Sequence, residues 1–329
     1  MPQPDATGPN PACGQPPGHK YNGFLNLNKS AGWTSHDCVA KVRRLLGMKK
    51  VGHAGTLDPA ATGVLPIALG KATRLLQYLP GDKAYQAVVR FGITTDTDDL
   101  DGQILTQQPA PGLTLDQVQP LLSQFVGDIK QIPPRYSAIQ VNGQRLYDLA
   151  RQGKAVDVPE RTVGVHDLQA TAWHPGDYPH LSLDVACGAG TYIRAIARDL
   201  GAAVGTGATL ASLQRTKSSG FTLADSLSLE ALAQQLADNS FVTLPPDVGL
   251  QSLSSISLSQ DTERDWRQGR QVPIDTATVL ENTTSENTTI RVVDSENLFL
   301  GIGECITTPS GTVLSHRMVY RPWVKPQQA

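Results

Sequence analysis

The chain has 329 residues, 40% hydrophobic and 5% aromatic, which is enough for an aliphatic core in one large or two unequal domains. A formal net charge of −2 excludes a strongly basic character for the chain as a whole. No apolar run approaches the ~20 residues a membrane helix needs, and the N-terminus lacks the apolar stretch of a secretory signal.

Residues 1–22 are rich in Pro and Gly and read as a disordered tail. GFLNLNK (23–29) reads as a short strand. Thr34 or Ser35 can cap a helix through HDCVAKVRRLLG, with Val39, Val42, Leu45 and Leu46 on one face and Gly47 ending it. The loop GHAGTLDPAATG (52–63) follows. VLPIALG (64–70) is a buried apolar run, and KATRLLQYL (71–79) reads as a helix stopped by Pro80-Gly81. AYQAVVRFG (84–92) alternates like a strand. TTDTDDLDG (94–102) misses the calcium-loop spacing and reads as a solvated acidic loop.

Patterns for a helix (115–126), a strand (136–142) and a helix (145–152) come next. TVGVHDLQATAWH and HLSLDVACG read as paired strands, TYIRAIARDLG (191–201) as a helix opened by Gly188-Ala189-Gly190, and ATLASLQRTKSSGF as a returning strand. Around 238–250, NSFVTLPPDVG reads as a linker centred on Pro245-Pro246. Beyond it lie short β-like runs, TIRVVD, LFLGIGECI and TVLSHRMVY, with ENTTSENTT (281–289) as a loop tip. The expected class is α+β, with a large domain over 23–240 and a small β-rich module over 250–325.

Residues 1–220 hold 21 Lys/Arg against 17 Asp/Glu, a net of +4, and residues 221–329 hold 7 against 13, a net of −6. The first two-thirds is the better place for an anionic partner. The cysteines, Cys13, Cys38, Cys187 and Cys305, are scattered without a CxxC pair. That argues against a zinc site and a disulfide framework and fits a reducing cytosol, so a cytoplasmic location is expected.

Two glycine-rich stretches imitate cofactor motifs. GAGTYIRAIARDLG follows a strand and opens a helix, but Ile193 stands where a dinucleotide fingerprint needs its third glycine. GHAGTLDPAATG lacks the GK[ST] ending of a phosphate loop. Neither a nucleophile elbow nor HExxH occurs, so no metal and no nucleotide cofactor is expected. Taken alone, Asp58 reads as a turn or cap residue, because Asp-Pro starts turns readily, and His53 as a surface or satisfied core imidazole.

The longer stretch HAGTLDPAATGVLPIALGKATRLLQYL resembles the catalytic segment of the tRNA pseudouridine synthase B family. Other family pieces occur in order: GFLNLNKSAGWTSHDCVAKVRRLLG, KAYQAVVRFGITTDTDDLDG, QIPPRYSAIQVNGQRLYDLARQG, CGAGTYIRAIARDLG and LQRTKSSGF, together spanning residues 23–221. The resemblance implies a mixed, largely antiparallel catalytic domain followed by a small PUA-like RNA-binding module. It implies isomerisation of one uridine in the T-loop of tRNA, position 55 in tRNA numbering, by a monomer acting on the T-arm. It casts Asp58 as the catalytic aspartate, Tyr85 as the stack for the target base, and Arg194 as the partner of Asp58. Tyr192 and Leu213 would line the uracil pocket, His53 would contact the T-loop, and Lys29 would support the floor. Ser30 departs from the family's usual proline.

The chemistry suits these residue types. Breaking the C1′–N1 bond of uracil and joining C5 to C1′ requires no redox step. It requires a carboxylate acting as nucleophile or base. A carboxylate in a dry pocket resists ionisation, and a guanidinium beside it opposes that and can orient it through paired hydrogen bonds. Three routes stay open for the aspartate: addition to the base, attack at C1′, or proton abstraction at C2′, which the resemblance favours. The uridine must be extracted from folded RNA at a cost of a few kcal/mol, and an aromatic stack returns ~1–3 kcal/mol. Arg43, Arg44, Lys49, Lys50, Arg145, Arg151 and Lys154 are either phosphate contacts or solvated cations, and Tyr147 is helix core or an RNA contact. For the acidic module to meet RNA, its cations, Arg317 and Arg321 among them, must share one face. The alternative is a non-catalytic tRNA-folding chaperone on the same scaffold.

Overall fold

The computed structural model describes residues 21–137, 140–141, 144–145, 158–274, 289–309 and 311–321. Residues 1–20 of the tail, the helix pattern beyond 145, the side chain of Arg145, the residues Tyr147, Arg151 and Lys154, and the 281–288 part of the polar loop tip lie outside the described residues, while Tyr21, at the end of the expected tail, packs against Phe241.

Apolar and alternating runs of the first 222 residues build one nine-stranded sheet. Its strands are β1 (Gly23–Lys29), β2 (Val51–His53), β3 (Thr62–Leu69) and β4 (Lys83–Phe91), then β7 (Gly127–Gln131), β10 (Arg161–His174), β11 (His180–Cys187), β12 (Ala208–Ser218) and β13 (Phe221–Thr222). Two hairpins stand apart: β5 (Ile93–Thr95) with β6 (Ile104–Gln107), and β8 (Gln140–Val141) with β9 (Gln144–Arg145). The order across the sheet is β1-β3-β12-β4-β11-β10-β7, with β2 beside β3 and β13 beside β12. Every pairing is antiparallel except β3 with β12.

Helix α1 (Ser35–Leu46) opens on a capping box between Thr34 and Asp37 and closes on Gly47 at φ 61°, a backbone region that favours glycine. Its Val39 and Val42 are buried, and Leu45 and Leu46 pack at the margin of the same cluster. Helix α3 (Ile193–Val204) buries Ile193, Ile196, Ala197 and Leu200 in the same core as Tyr85, Ala87, Val89 and Phe91 of β4.

Several elements depart from the sequence pattern. Gly70–Tyr78 is a 3-10 spiral rather than an α-helix, and the Thr73 hydroxyl donates to the Gly70 carbonyl three residues back, which fits the tighter winding. The expected helix over 115–126 is α-helical only in α2 (Leu115–Val118) and then tightens to 3-10 from Gln119 to Phe125, where Pro120 has no N–H to donate. Two helices were not legible. In α4 (Leu229–Ala237) the periodic stretch is short, and α5 (Gln260–Arg267) is polar except for one buried anchor, Trp266. Residues 238–250 are not a free linker: Leu244 exchanges both backbone hydrogen bonds with Phe24, at 2.8 and 3.0 Å, and Leu250 is fully buried.

A second sheet, ordered β14-β16-β17-β18-β15, comprises β14 (Ser255–Ser257), β15 (Val272–Pro273), β16 (Thr289–Val293), β17 (Phe299–Thr308) and β18 (Gly311–Val319). Phe299, Ile302, Met318 and Tyr320 of this region share one apolar cluster with Phe24, Val64, Ala68, Leu75 and Phe221 of the first. Arg291 and Asp247, both little exposed, pair at 2.9 Å beside it. The fold is thus α+β, with a mixed, largely antiparallel sheet and a β-rich C-terminal region.

Gly63 marks the parallel β3–β12 crossing. It has φ +102°, and a Cβ there would lie 2.2 Å from the Arg215 carbonyl oxygen. Gly63→Ala combines strain of ~1–3 kcal/mol with overpacking of ~1–3 kcal/mol. A fall in melting temperature of at least about 5 °C is expected in a thermal scan, and an unchanged value would contradict this packing.

Candidate active site

The loop around Asp58 is rich in small residues, yet buried side chains fix its backbone on every side. The Ser35 hydroxyl bridges the Leu57 N–H (2.9 Å) and the Leu57 carbonyl (3.2 Å). Lys29, 1% exposed, donates to the carbonyls of Ser30 (3.0 Å), Trp33 (2.8 Å) and Pro59 (3.0 Å). Burial pulls the Lys29 ammonium below its ordinary value. Arg215, fully buried, donates from Nη2 to the Gly55 carbonyl (3.1 Å), from Nη1 to Thr56 (3.2 Å) and from Nε to Val64 (2.7 Å). Asp58 is therefore mounted rigidly although its neighbours are small. Ser30, where the resemblance suggested proline, contributes a carbonyl to this mount.

The Asp58 carboxylate faces Arg194. Oδ2 lies 3.0 Å from Nε, with the Arg194 side chain 6% and the Asp58 side chain 38% exposed. The Nε–H does not point along that line, since Nε has no partner with hydrogen-bond geometry. The contact is a charge pair at close range rather than the expected two-bond fork. Arg194 is oriented instead by the carbonyls of Thr97 and Tyr136, both 3.1 Å away, and by Asp99 at 3.4 Å.

That last contact corrects the reading of the acidic loop. Asp98 and Asp99 are largely buried and meet Arg198 (2.9 Å) and Arg194, while burial pushes both carboxyls up. The spacing of acids had suggested solvent, but cations 95 residues or more away in sequence turn them inward. Arg215, Asp99 and Tyr136 were not singled out by sequence reasoning. Their partners are distant backbone carbonyls or charges, so no local pattern announces them.

A cavity of about 870 Å³ opens beside Asp58. Tyr85, Tyr192, Arg194 and Leu213 line it with Asp58, and His36, Lys83, Asp99 and Tyr136 add to its wall. Tyr85 sits on β4 opposite Arg215 of β12. Its hydroxyl is pushed up to about 12, chiefly by burial. Tyr192 caps α3, and the Gln131 side chain holds its backbone N–H (3.1 Å) and carbonyl (3.2 Å). Two expected site residues are absent from the lining. Lys29 lies beneath it as floor, and His53 stands behind His36, ring centroids 5.5 Å apart in an edge-on contact. Of the cations flanking the loop, Arg43 is bound to the Val51 carbonyl (2.9 Å). Among the described residues no group of three or more His, Cys, Asp or Glu could hold a metal ion, and no helix is long and apolar enough to cross a membrane.

Burial lowers the His53 imidazole below its ordinary 6.5, with His36 and Arg215 adding to the effect. The unfolded chain therefore takes up the proton first as pH falls, and His53 subtracts stability below about pH 6.5. Melting temperatures of wild type and His53→Gln are expected to diverge between pH 7 and 5, the wild type losing more. Parallel curves would contradict the burial of this ring.

Comparison with known proteins places this geometry. Residues 43–193 match the TruB family pseudouridylate synthase N-terminal domain, 194–250 the tRNA pseudouridylate synthase B C-terminal domain, and 254–319 the pseudouridine synthase II TruB C-terminal model. The tRNA pseudouridine synthase B of a Nostoc species is 56% identical over 301 residues, 91% of this chain and 99% of that protein. The protein of that name from Gloeothece citriformis is 54% identical over 285 residues, 87% of this chain and 91% of its own. The fold is similar to that in a Cbf5-Nop10-Gar1 complex, with a TM-score of 0.69 at 23% identity, covering 95% of this chain and 93% of that one. On these matches the chain belongs to the TruB family of pseudouridylate synthases.

Proposed function

We propose that this protein makes pseudouridine in tRNA, at the T-loop uridine numbered 55, with Asp58 as the essential carboxylate. The observation that carries the reading is the Asp58–Arg194 pair at the wall of a cavity that also holds Tyr85, Tyr192 and Leu213. The names of its relatives supply the substrate class.

In this reading the uridine leaves the RNA stack and its base lies against Tyr85, between Tyr192 and Leu213. Asp58, held by the fixed loop, removes the C2′ proton as the C1′–N1 bond breaks. The freed uracil anion turns, C5 bonds to C1′ of the glycal as Asp58 returns its proton to C2′, and the C5 proton is lost while N1 takes one up from solvent. The Tyr85 hydroxyl, pushed up to about 12 by burial, is protonated at neutral pH and stands as a partner for proton transfer at the base. Lys29 keeps the floor, and His53 reaches the T-loop only with His36 in front of it. Residues 23–240 form the catalytic unit and 250–325 a PUA-like RNA-binding unit, acting as a cytoplasmic monomer. Arg317 of that unit is paired with Glu304, which limits it as an RNA contact.

The test uses tRNA transcript tritiated at C5 of uridine. One equivalent of tritium released per tRNA is expected, and none when the T-loop uridine is replaced by cytidine. Release that ignores this replacement would overturn the position.

A further inference from the structure

Two basic side chains, Lys83 and Arg194, are among those lining the cavity. Arg194 is met by Asp58 and Asp99. Lys83 is met by no carboxylate: its Nζ donates to the Gly81 carbonyl at 2.9 Å, and among the described residues it makes no ion pair. The adjacent Asp82 is mostly exposed and lies 3.5 Å from His166 instead.

The surroundings of Lys83 favour an incoming anion. It opens β4 between Cys187 of β11 and Ser218 of β12. Strand alternation puts Lys83 and Tyr85 on one face, about 7 Å apart along the strand. Arg215, whose guanidinium is spent on backbone carbonyls, brings a second positive charge: a Cβ on Gly55 would lie 3.3 Å from Lys83 Cε and 3.6 Å from Arg215 Nη1. Gly55, at φ +72°, thus leaves room for the lysine stem over the catalytic loop. Burial and Arg215 both lower the Lys83 ammonium from its ordinary value, while Cys187 and Asp82 oppose them. An approaching anion would restore it. A cation left without a carboxylate, in a cleft otherwise lined by Asp58, Asp99 and Asp101, is matched by a phosphate.

We propose that Lys83 binds the backbone phosphate flanking the extracted uridine, holding the sugar over Asp58 while the base lies on Tyr85. This rests on the reading of the site as one that takes a uridine out of RNA, and it adds a contact that the carboxylate chemistry does not itself require.

The test uses a T-arm stem-loop RNA and two copies in which the phosphate 5′ or 3′ of the target uridine is a neutral methylphosphonate. The readout is kcat/KM for pseudouridine formation by wild type, Lys83→Met and Lys83→Gln. With wild type, one of the two neutral RNAs is expected to lose about tenfold. Both variants are expected to lose about as much on the unaltered RNA, and less than about twofold more on that neutral RNA, because the contact is already gone. The wild-type arm needs no substitution and stays informative if a variant folds poorly. Equal losses in wild type and variants, or no loss at either neutral phosphate, would overturn the phosphate contact. Failure of wild type to modify the unaltered RNA would instead sink the functional reading beneath it.

Discussion

Replacing Asp58 by Asn is expected to cut the single-turnover rate of pseudouridine formation by at least about 10³-fold, with tRNA affinity changed by less than about threefold. The substitution keeps the side chain's shape and removes only its charge and basicity. The loop does not depend on the carboxylate for its position. Ser35 holds Leu57, Lys29 holds Pro59, and Arg215 holds Gly55 and Thr56, all through backbone groups. Arg194 keeps Asp99 and the carbonyls of Thr97 and Tyr136. The variant should therefore fold and bind, and fail at chemistry. Residual activity within tenfold of wild type would remove Asp58 from the reaction.

A chain ending at residue 250 is expected to lose cooperative unfolding and precipitate. The C-terminal residues do not merely hang on a linker. Phe299, Ile302, Met318 and Tyr320 complete the cluster containing Phe24, Val64, Ala68, Leu75 and Phe221. At ~1.5–3 kcal/mol per buried apolar side chain, four such residues contribute about 6–12 kcal/mol. That is comparable to the whole stability of a typical domain. Truncation would also strip Asp247 of Arg291. A truncated chain that melts cooperatively near the wild-type temperature would refute the shared core. The sequence pattern had suggested a small module set off by a linker, and the packing joins it to the core of the first sheet.

The parts of the fold legible in the sequence are those with local signals. The cap at Thr34, the stop at Gly47 and the apolar face of α1 are encoded within 14 consecutive residues. The patterns of TVGVHDLQATAWH and HLSLDVACG foretold the paired strands β10 and β11, and AYQAVVRFG foretold β4 as a strand. What depended on distant partners was hidden. Asp98 and Asp99 looked solvated until α3 brought Arg194 and Arg198 against them. Arg215 lay inside a motif that was noticed, but its role needs Gly55 and Thr56, some 160 residues away. Asp58 alone looked like a turn residue, and the long resemblance around it, not the loop itself, singled it out. His53 was expected to contact the T-loop, while His36, in the first turn of α1, lines the cavity and meets the His53 ring edge-on.

The most direct measurement is a map of pseudouridine on unmodified tRNA transcript after incubation with wild type and with Asp58→Asn, read by carbodiimide labelling and primer extension. A single stop at the T-loop uridine with wild type, and none with the variant, is the predicted result. No stop with either protein, while both still bind the transcript, would contradict the account and favour a tRNA-folding chaperone on this scaffold.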